Sequence, residues 1–296
     1  MTIPQPPICD YTNSDYQSSF WNCGKREYED RVEAIALSRL LPTYGKILLE
    51  IGAGAGRNST RYHGYERIFL LDYSVTQIKQ AQQNIGKQDR FYYIVADAYR
   101  MPFLPGLFDA ATMIRTLHHM VDVPLVLQQI RKVLKPGAIF ILEYANKQNL
   151  KAILRFVFGQ QKWNPFRKES VEFAQLNFNF HPSQIRDWLM ENGFVTERQL
   201  TVSHFRLPIL KRLLPVDLLV TLDAMVQYTG NYWQLSPSVF LRSKVVGNSI
   251  VCSSEQFFAC PNCCSPNLNN VSDGLKCNNC QHLWLYKNGV YYFRDV

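Results

Sequence analysis

The chain of 296 residues is 47% apolar and has a formal net charge of +8. This length suffices for one large α/β core and leaves room for a small additional module. No apolar stretch is long enough to span a bilayer, and MTIPQPPICD lacks the pattern of a signal peptide, so we expect a cytoplasmic protein. The positive charge favours an anionic partner such as RNA, anionic lipid or an acidic substrate, without choosing among them.

Residues 1–44 are predicted to form an irregular arm and a capping helix. The arm is rich in Pro, Ser, Asn and Tyr, and helical periodicity runs from about Lys25 to Leu41, just before Pro42. Because this helix precedes the first strand, it could lie over a ligand pocket. The side chains that would then cap a ligand are Phe20, Trp21, Tyr28 and Arg31. The alternative is that these side chains only pack the helix against the core.

The stretch ILLEIGAGAGRNS, residues 47–59, predicts a ligand pocket. Its apolar run is typical of a buried parallel strand, and Gly52, Gly54 and Gly56 allow a sharp turn with bare backbone against a ligand. The residues from Arg57 onward predict a helix whose N-terminal amides face that ligand. A dinucleotide fingerprint would need glycine at position 57, so NAD is the less favoured ligand.

Strands and helices then alternate, which predicts a mostly parallel, doubly wound α/β sheet. The expected strands are 68–71, 91–96, 110–114 and 138–142, with helices at 75–85 and 123–134. Ligands of such sheets lie beyond the carboxyl ends of the strands, where the acidic residues Glu50, Asp72, Asp97 and Glu143 stand. Asp72 is placed to accept both ribose hydroxyls of an adenosine, and Asp97 to accept a hydrogen bond from an adenine amino group.

Five motifs appear in order across residues 45–147: LLEIGAGAGRNS, LDYS, VADAYRMPF, FDAATMIRTLHHM and LKPGAIFILEYANK. As a set they resemble class I S-adenosylmethionine (SAM)-dependent methyltransferases of type 11. The resemblance implies a Rossmann-like, doubly wound, seven-stranded sheet whose final hairpin is reversed. It implies that the cofactor is held by Glu50, Gly52, Ala53, Gly54, Gly56, Asp72, Tyr73, Asp97, Ala98 and Arg115. In that family Glu50 and the glycines line the methionine and ribose part, Asp72 holds the ribose, Asp97 and Ala98 hold the adenine, and Arg115 borders the methyl group.

Residues 45–247 form the expected methyltransferase domain, with inserts at 147–180 and 206–236 over the substrate side. A helix at 181–194 leads into strands at 195–205 and 237–246. The first insert has six basic and no acidic residues between Lys147 and Lys168, among several large apolar side chains. Such inserts could be a lid for a hydrophobic or anionic substrate, a membrane-surface patch, or an ordinary helical lid with solvated charges.

The segment 255–296 predicts a small zinc-ribbon module. Cys260-x-x-Cys263 and Cys277-x-x-Cys280 are two knuckles thirteen residues apart, the spacing of a structural tetrahedral Zn²⁺ site. Cys264 could replace Cys263. The simplest expectation for Cys9, Cys23 and Cys252 is that they are free thiols. The segment resembles the small zinc-ribbon proteins that activate tRNA and rRNA methyltransferases, here fused behind the catalytic domain, and its balanced charge favours a structural or docking role over a strong grip on RNA.

The catalytic candidates are Arg115, His118 and His119, which follow the fourth strand. Glu143, Tyr144 and His181 are further candidates for a base, which is needed only if the acceptor must lose a proton. No cysteine lies between Cys23 and Cys252, which disfavours methylation of cytosine carbon-5 through a covalent thiolate adduct. The fourth strand ends without an Asn/Asp-Pro-Pro-aromatic motif, which disfavours amino-group methylation by the familiar route.

Three functions remain open. The favoured one is SAM-dependent methyl transfer to a small or lipid-like acceptor. The second is an rRNA or tRNA methyltransferase that uses the ribbon and the basic insert to dock RNA or a partner. The third, a non-catalytic scaffold, is least favoured because the acidic residues of the cofactor site are all present.

Overall fold

The computed structural model describes residues 6–10, 26–86, 88–247 and 256–294. Phe20, Trp21, Cys23 and Cys252 lie outside the described residues. The helices are α1 (Glu27–Leu40), α2 (Val75–Ile85), α3 (Val123–Val133), α4 (Leu150–Val157), α5 (Pro182–Glu191), α6 (Pro208–Leu213) and α7 (Val216–Val226). The strands of the first 247 residues are β1 (Gly45–Ile51), β2 (Tyr65–Asp72), β3 (Phe91–Val95), β4 (Phe108–Met113), β5 (Leu134–Ala145), β6 (Val171–Ala174), β7 (Asn177–Asn179), β8 (Phe194–Val202) and β9 (Ser238–Val245). The C-terminal strands are β10 (Leu268–Val271), β11 (Gly274–Cys277), β12 (Leu283–Lys287) and β13 (Val290–Tyr292).

The central sheet has the predicted class of topology. Its strand order is β10-β11-β12-β13-β3-β2-β1-β4-β5-β9-β8. Strands β3, β2, β1, β4 and β5 run parallel, while β9 and β8 are antiparallel to their neighbours. The seven strands from β3 to β8 therefore form a doubly wound α/β sheet with a reversed final hairpin, which confirms the predicted fold class.

The C-terminal strands extend this sheet at its β3 edge. Strand β13 pairs in parallel with β3, with Val290 opposite Tyr93 and Tyr292 opposite Val95. Near the start of the ribbon, Phe258 stacks on Phe103 with ring centroids 5.9 Å apart. Because the module shares both a ladder and core aromatics with the main domain, its folding is coupled to that of the sheet.

Helices cover both faces of the sheet. On one face the apolar side of α1 packs with α2 and α7 around buried residues such as Val32, Ile78 and Leu219. On the other face α3 and α5 pack around residues such as Val126 and Leu189, and this core continues into the ribbon. The sheet is therefore buried on both sides, which explains why its central strands are almost wholly apolar.

Local signals set several element ends. The Ser74 side chain accepts a hydrogen bond from the Gln77 amide at 3.3 Å and begins α2, and Gly86, with φ of 78°, ends it. Asp122 caps α3 in the same way through the Leu125 amide at 3.0 Å. Helix α3 passes directly into β5, so Pro136 lies inside the strand and not in a loop before it.

The helix predicted from Arg57 onward is wrong. After β1 the chain turns through its glycines and forms only a 3₁₀ turn, Ser59–Arg61, before β2 begins at Tyr65. Gly64 lies so close to the backbone of Thr43 that a Cβ would fall 1.7 Å from its carbonyl oxygen, so only glycine fits at this turn. No helix N-terminus therefore faces the ligand at this point.

Both inserts leave the sheet at the edge where the parallel strands end. Ala145 at the end of β5 is opposite Ser238, which is opposite Val202 at the end of β8. Helix α4 follows the end of β5, and α6 follows the end of β8. Within the described ranges, no helix combines the length and apolar character needed to cross a bilayer.

Candidate functional site

A cavity opens at the carboxyl ends of β1, β2, β3 and β4. Its wall consists of Ile8, Cys9, Ile51, Gly52, Gly54, Leu71, Asp72, Tyr73, Gln77, Ala96, Asp97, Ala98, Tyr99, Arg115, Thr116, His119 and Met120. The cavity lies at the place where open parallel sheets bind ligands. Seven of the predicted site residues for the cofactor meet there: Gly52, Gly54, Asp72, Tyr73, Asp97, Ala98 and Arg115.

Asp72 is held rigidly at the end of β2. Its Oδ2 atom accepts a hydrogen bond from the Gly54 amide at 2.9 Å, and its Oδ1 atom accepts one from the Ser74 amide at 2.8 Å. Burial raises the pKa of this carboxyl, and the backbone hydrogen bonds oppose that rise. Each carboxylate oxygen keeps acceptor capacity for a ligand hydroxyl.

Gly54 brings bare backbone to the cavity wall. Its φ is 54°, a conformation that L side chains rarely adopt, and the nearest atom to an added Cβ would be Gln77 Oε1 at 3.6 Å. The absence of a side chain therefore leaves space in the cavity itself. Gly52 differs, because an added Cβ there would collide with the Thr116 side chain.

Beyond Asp72 the wall is formed by the turn after β3. The Asp97 Oδ1 atom accepts a hydrogen bond from the Tyr99 amide at 2.8 Å and starts a 3₁₀ turn. Facing this side, Gln77 lines the cavity, and neither its side-chain oxygen nor its nitrogen has a hydrogen-bond partner within the described residues. A buried amide of this kind is suited to receive a polar ligand.

Arg115 forms the opposite end of the cavity, just after β4. It has φ of 55°, and its amide donates to Glu143 Oε2 at 2.9 Å. Glu143 also accepts a hydrogen bond from Ser238 Oγ at 2.5 Å, so this carboxylate ties the ends of β4, β5 and β9 together. The strained backbone is held by that anchor and directs the guanidinium towards α1.

Glu33 of α1 receives the Arg115 side chain. It is 1% exposed and accepts hydrogen bonds from Arg115 Nε at 2.7 Å and from Arg57 Nη2 at 2.9 Å. Burial would raise its pKa, but the charges of Arg115, Arg57 and Arg206 outweigh that effect and lower the pKa to about 2. Glu33 is therefore ionised at neutral pH and sets the position of the cavity arginine.

The two predicted histidines are adjacent but not equivalent. His119 lines the cavity, and its Nδ1 lies 3.0 Å from the carbonyl oxygen of Leu176 in the β6–β7 hairpin. His118 is not part of the cavity wall, and its ring lies 4.0 Å from that of His119. Burial lowers the pKa of both rings, so both are neutral at neutral pH.

Three predicted cofactor residues, Glu50, Ala53 and Gly56, stand outside the cavity wall. Glu50 is 5% exposed and accepts hydrogen bonds from Ser59 Oγ at 2.5 Å and Tyr62 OH at 3.0 Å. Burial raises its pKa to about 7, against the effect of these hydrogen bonds. In this structure Glu50 binds Ser59 and Tyr62, which follow the glycine turn, and its role towards a cofactor stays a prediction.

Other predicted ligand and base candidates also lie apart from the cavity. Tyr28 is 1% exposed and donates to Asp223 Oδ2 at 2.6 Å, so it packs α1 against α7. Arg31 is exposed and pairs with Asp217. His181 caps α5, where its Nδ1 accepts from the Ser183 amide at 3.2 Å.

Sequence reasoning missed several residues near the cavity. Cys9 lines it, although the argument against a thiolate considered only the span between Cys23 and Cys252. Arg294, beyond β13, lies over the ring of Tyr73 at 3.8 Å and pairs with Asp10 at 3.3 Å. Only the pairing of β13 with β3 brings Arg294 to this place, and no local sequence signal reports that pairing. Gln77 could have been found, since it stands in the first turn of the helix after Asp72.

The four cysteines of the two knuckles converge as predicted from their spacing. The sulfurs of Cys260, Cys263, Cys277 and Cys280 lie within 4.8 Å of one another. Cys264 is exposed and stands outside this group, with φ of 58°. Trp284 donates from Nε1 to Cys260 Sγ at 3.4 Å, a hydrogen bond that suits a thiolate ligand.

Comparisons with known proteins identify the family. Residues 49–142 match the model of the Methyltransferase domain family. The chain is 31% identical over 162 residues to the 2-phytyl-1,4-naphtoquinone methyltransferase of Nostoc punctiforme. The aligned region covers 44% of this chain and 70% of that protein. The chain belongs to the class I SAM-dependent methyltransferase family. This methyltransferase is also 30% identical over 118 residues to the O-methyltransferase cnsE of Penicillium expansum, covering 38% of this chain and 43% of that protein.

A solved structure shares the fold of this methyltransferase. It is the complex between the Haloferax volcanii Trm112 methyltransferase activator and a methyltransferase, with a TM-score of 0.55 at 16% identity, covering 79% of this chain and 96% of that chain. The chain spans less than half the length of several curated relatives that it matches, with 43%, 40% and 33% of those proteins covered.

The cavity fits the cofactor of this family. A Cβ at Gly54 would enter the space, the Gln77 amide is unpartnered within the described residues, and two carboxylates, Asp72 and Asp97, line the cavity from the ends of adjacent strands. Asp72 and Asp97 are the acceptors that a ribose and an adenine amino group require. The residues present therefore fit SAM at the glycine turn and the ends of β2 and β3.

Proposed function

We propose that this protein transfers the methyl group of SAM to a small or lipid-like acceptor. The supporting observation is the order of groups along one cavity: the glycine turn, Asp72 and Asp97 suit the nucleoside, and Arg115 and His119 stand at the far end. By their names, the relatives given above are an O-methyltransferase and a 2-phytyl-1,4-naphtoquinone methyltransferase, and the second name is that of a small, lipid-like acceptor.

In this proposal SAM supplies an electrophilic methyl group on a sulfonium. The chain's own residues supply alignment and a dry site, which suffice for an in-line displacement. Asp72 and Asp97 bind the nucleoside. Arg115 is held in position by its hydrogen bonds to Glu33 and Glu143. Neutral His119 accepts the proton of an acceptor hydroxyl when the nucleophile must be ionised. His118 holds the His119 ring in place.

The test is the transfer of labelled methyl groups from SAM to cell extract. We expect label in the organic-soluble fraction, insensitive to nuclease. A Gly54→Asp variant should lose the label, because its carboxylate would enter the cavity from a strained position. Label confined to nuclease-sensitive material would reject the small-molecule acceptor and favour RNA.

An RNA acceptor is the second candidate. The net charge of +8 favours it, as does the likeness to a methyltransferase solved with the Trm112 activator. The ribbon itself is expected to attract RNA only weakly. Its exposed cations Lys276 and Lys287 are offset in part by Asp273, and Arg294 pairs with Asp10. In the RNA proposal the ribbon is a structural part that supports the domain.

We further propose that the first insert contacts an anionic membrane surface. Helix α4 buries only Ala152, while Leu154, Val157 and Phe158 are exposed by 46%, 67% and 71%. Lys151 and Arg155 are exposed on the same short helix. Apolar side chains flanked by basic ones match the interface of a bilayer with anionic lipid, and this insert stands at the cavity edge of the sheet.

We propose that the cysteine group binds a structural Zn²⁺ ion. Four thiolates at mutual distances of this size are the usual tetrahedral set for zinc. Cys260 and Cys280 have their sulfurs 3.6 Å apart, and those of Cys263 and Cys277 are 3.5 Å apart, which is the spacing of neighbouring ligands on one ion and not of a disulfide. The ion would hold the two knuckles of the ribbon together.

A further inference from the structure

The guanidinium of Arg206 is an unusual group in the interior of this protein. Arg206 lies between β8 and α6, at the edge of the sheet where the parallel strands end. Its Nε and Nη2 atoms are buried and have no hydrogen-bond partner within the described residues. The side chain as a whole is 28% exposed.

Its neighbours are paired, which makes Arg206 the exception. Glu33 Oε1 accepts from Arg115, and Nη2 of Arg206 stands 3.9 Å from that same oxygen, too far for a hydrogen bond. Arg57 donates to Glu33 and Asp30. Lys211 donates to both oxygens of Glu29, at 2.5 and 2.7 Å.

A guanidinium at this depth, with Glu33 only at an ion-pair distance of 3.9 Å, needs a closer anion. Arginine stays charged at any accessible pH, so it cannot escape the desolvation cost by losing its proton. Glu33 already accepts hydrogen bonds from Arg57 and Arg115, and its carboxylate lies 3.9 Å from Arg206. The two free nitrogens, Nε and Nη2, are adjacent on one edge of the planar group, which is the geometry that binds two oxygens of a planar anion.

Arg206 lies beside the end of the cavity assigned to the acceptor. Arg115 lines the cavity, and both guanidinium groups approach the same Glu33 oxygen. Arg206 itself is absent from the wall that contains Gly54 and Asp72. Arg206 therefore neighbours a residue of the cavity wall through their shared contact with Glu33.

We propose that Arg206, together with Arg115, forms a subsite for a planar oxyanion of the methyl acceptor. Carboxylate, phenolate and enolate groups share this chemistry. The inference rests on the proposed function and narrows its substrate class to acceptors that carry a planar oxygen anion on an apolar body. The apolar side chains around the cavity edge suit that body, and Arg206 is a binding residue in this account.

The test compares a charged ligand with its neutral isostere. The probes are 2-naphthoate and 2-naphthamide, titrated by NMR into the full-length protein with and without S-adenosylhomocysteine. We expect 2-naphthoate to bind at least about tenfold more tightly than 2-naphthamide. Arg206→Gln should remove that preference and Arg206→Lys should restore part of it, while the affinity for S-adenosylhomocysteine stays unchanged in both. Arg212→Gln, which removes an exposed arginine from α6, is the matched control and should keep the preference.

Equal binding of the two probes to the unaltered protein would overturn the subsite, whether or not the variants fold. A fall in S-adenosylhomocysteine affinity in Arg206→Gln would also overturn it, because the group would then serve the carboxylate of the cofactor. Absence of any S-adenosylhomocysteine binding by the unaltered protein would instead reject the proposed function. The naphthoate preference measured without cofactor would still decide the subsite.

Discussion

Glu33 is the residue on which the charge balance of the cavity end depends. Its carboxylate compensates Arg57 and Arg115, and it is 1% exposed. Removing one partner of a buried ion pair leaves an uncompensated charge and is costly. The structure therefore predicts that a single side chain of α1, remote in sequence from the glycine turn, controls the position of Arg115.

Replacement Glu33→Gln should lower the free energy of unfolding by roughly 3 kcal/mol at about pH 7. The folded pKa of about 2 lies below the ordinary value of 4.5 for a glutamate, so the stabilisation is fully present above about pH 4.5 and disappears as the pH falls towards 2. Urea unfolding of both proteins over this pH range measures the difference. Glu27→Gln, on an exposed turn of α1, should change stability by less than about 0.5 kcal/mol. A difference that grows on acidification would contradict the assignment.

Sequence reasoning singled out the acidic residues that line the cavity, but not the contacts among the charged residues at its other end. Asp72 and Asp97 follow strands of a regular βα pattern, so their place at the cavity edge follows from the topology. Glu33, Arg115 and Arg206 meet only because α1, β4 and the end of β8 converge, and their sequence separations hide that contact. The position of Cys9 in the cavity wall could not be predicted for the same reason.

At the scale of elements, α4 offers the sharpest prediction. Joint replacement of Val157 and Phe158 by Ser should weaken binding to phosphatidylglycerol vesicles several-fold, since these side chains are 67% and 71% exposed and would enter the interface. Vesicle flotation measures the bound fraction, and binding of the unaltered protein should fall with added salt. Met190→Ser, which removes a side chain that is 69% exposed on α5, is the control. Equal flotation of all three proteins would refute the membrane contact.

The end of the ribbon provides a second prediction at this scale. Arg294 covers the cavity residue Tyr73 and pairs with Asp10, two residues from Ile8 in the cavity wall. Arg294→Ala should weaken S-adenosylhomocysteine binding about two- to fivefold, because a cation–π contact is worth about 0.5–1 kcal/mol. Calorimetry on this variant and on Lys287→Ala, which alters an exposed β12 residue, gives the comparison. Unchanged affinity in Arg294→Ala would show that the ribbon does not support the cofactor end.

The elements themselves were predictable where periodicity was strong. Helix α2 has the predicted bounds, Val75–Ile85, because Ser74 and Gly86 are clear cap residues. The helix expected after the glycine turn is absent, and the close approach of Gly64 to Thr43 in this segment depends on tertiary packing that no local pattern reports. The hairpin β6–β7 was not predicted, and it brings Leu176 to His119.

At the scale of the whole molecule, the ribbon and the main domain share one sheet. The boundary predicted near residue 255 separates two segments of the sequence. In the structure these segments are joined, because β13 of the ribbon pairs with β3 of the main domain. Spacing of the cysteines predicted the group of four, but the pairing with β3 joins elements nearly two hundred residues apart and leaves no local signature.

Removal of the cysteine site should therefore destabilise the whole chain. Cys277→Ser is expected to lose bound zinc, measured by atomic emission, and to lower the thermal midpoint of the methyltransferase domain as well as that of the ribbon. Cys264→Ser should keep both, because its sulfur lies outside the group of four. Zinc retained by Cys277→Ser and lost by Cys264→Ser would reverse the ligand assignment.

The central claim is that this methyltransferase modifies a small or lipid-like acceptor. The most direct measurement is untargeted mass spectrometry of metabolites, lipids and RNA from cells that carry the gene, lack it, or carry the Gly54→Asp variant. The account predicts at least one organic-soluble species, heavier by one methylene group, that is present only with the unaltered gene. Gene-dependent methylation found only in nucleosides from RNA would contradict it.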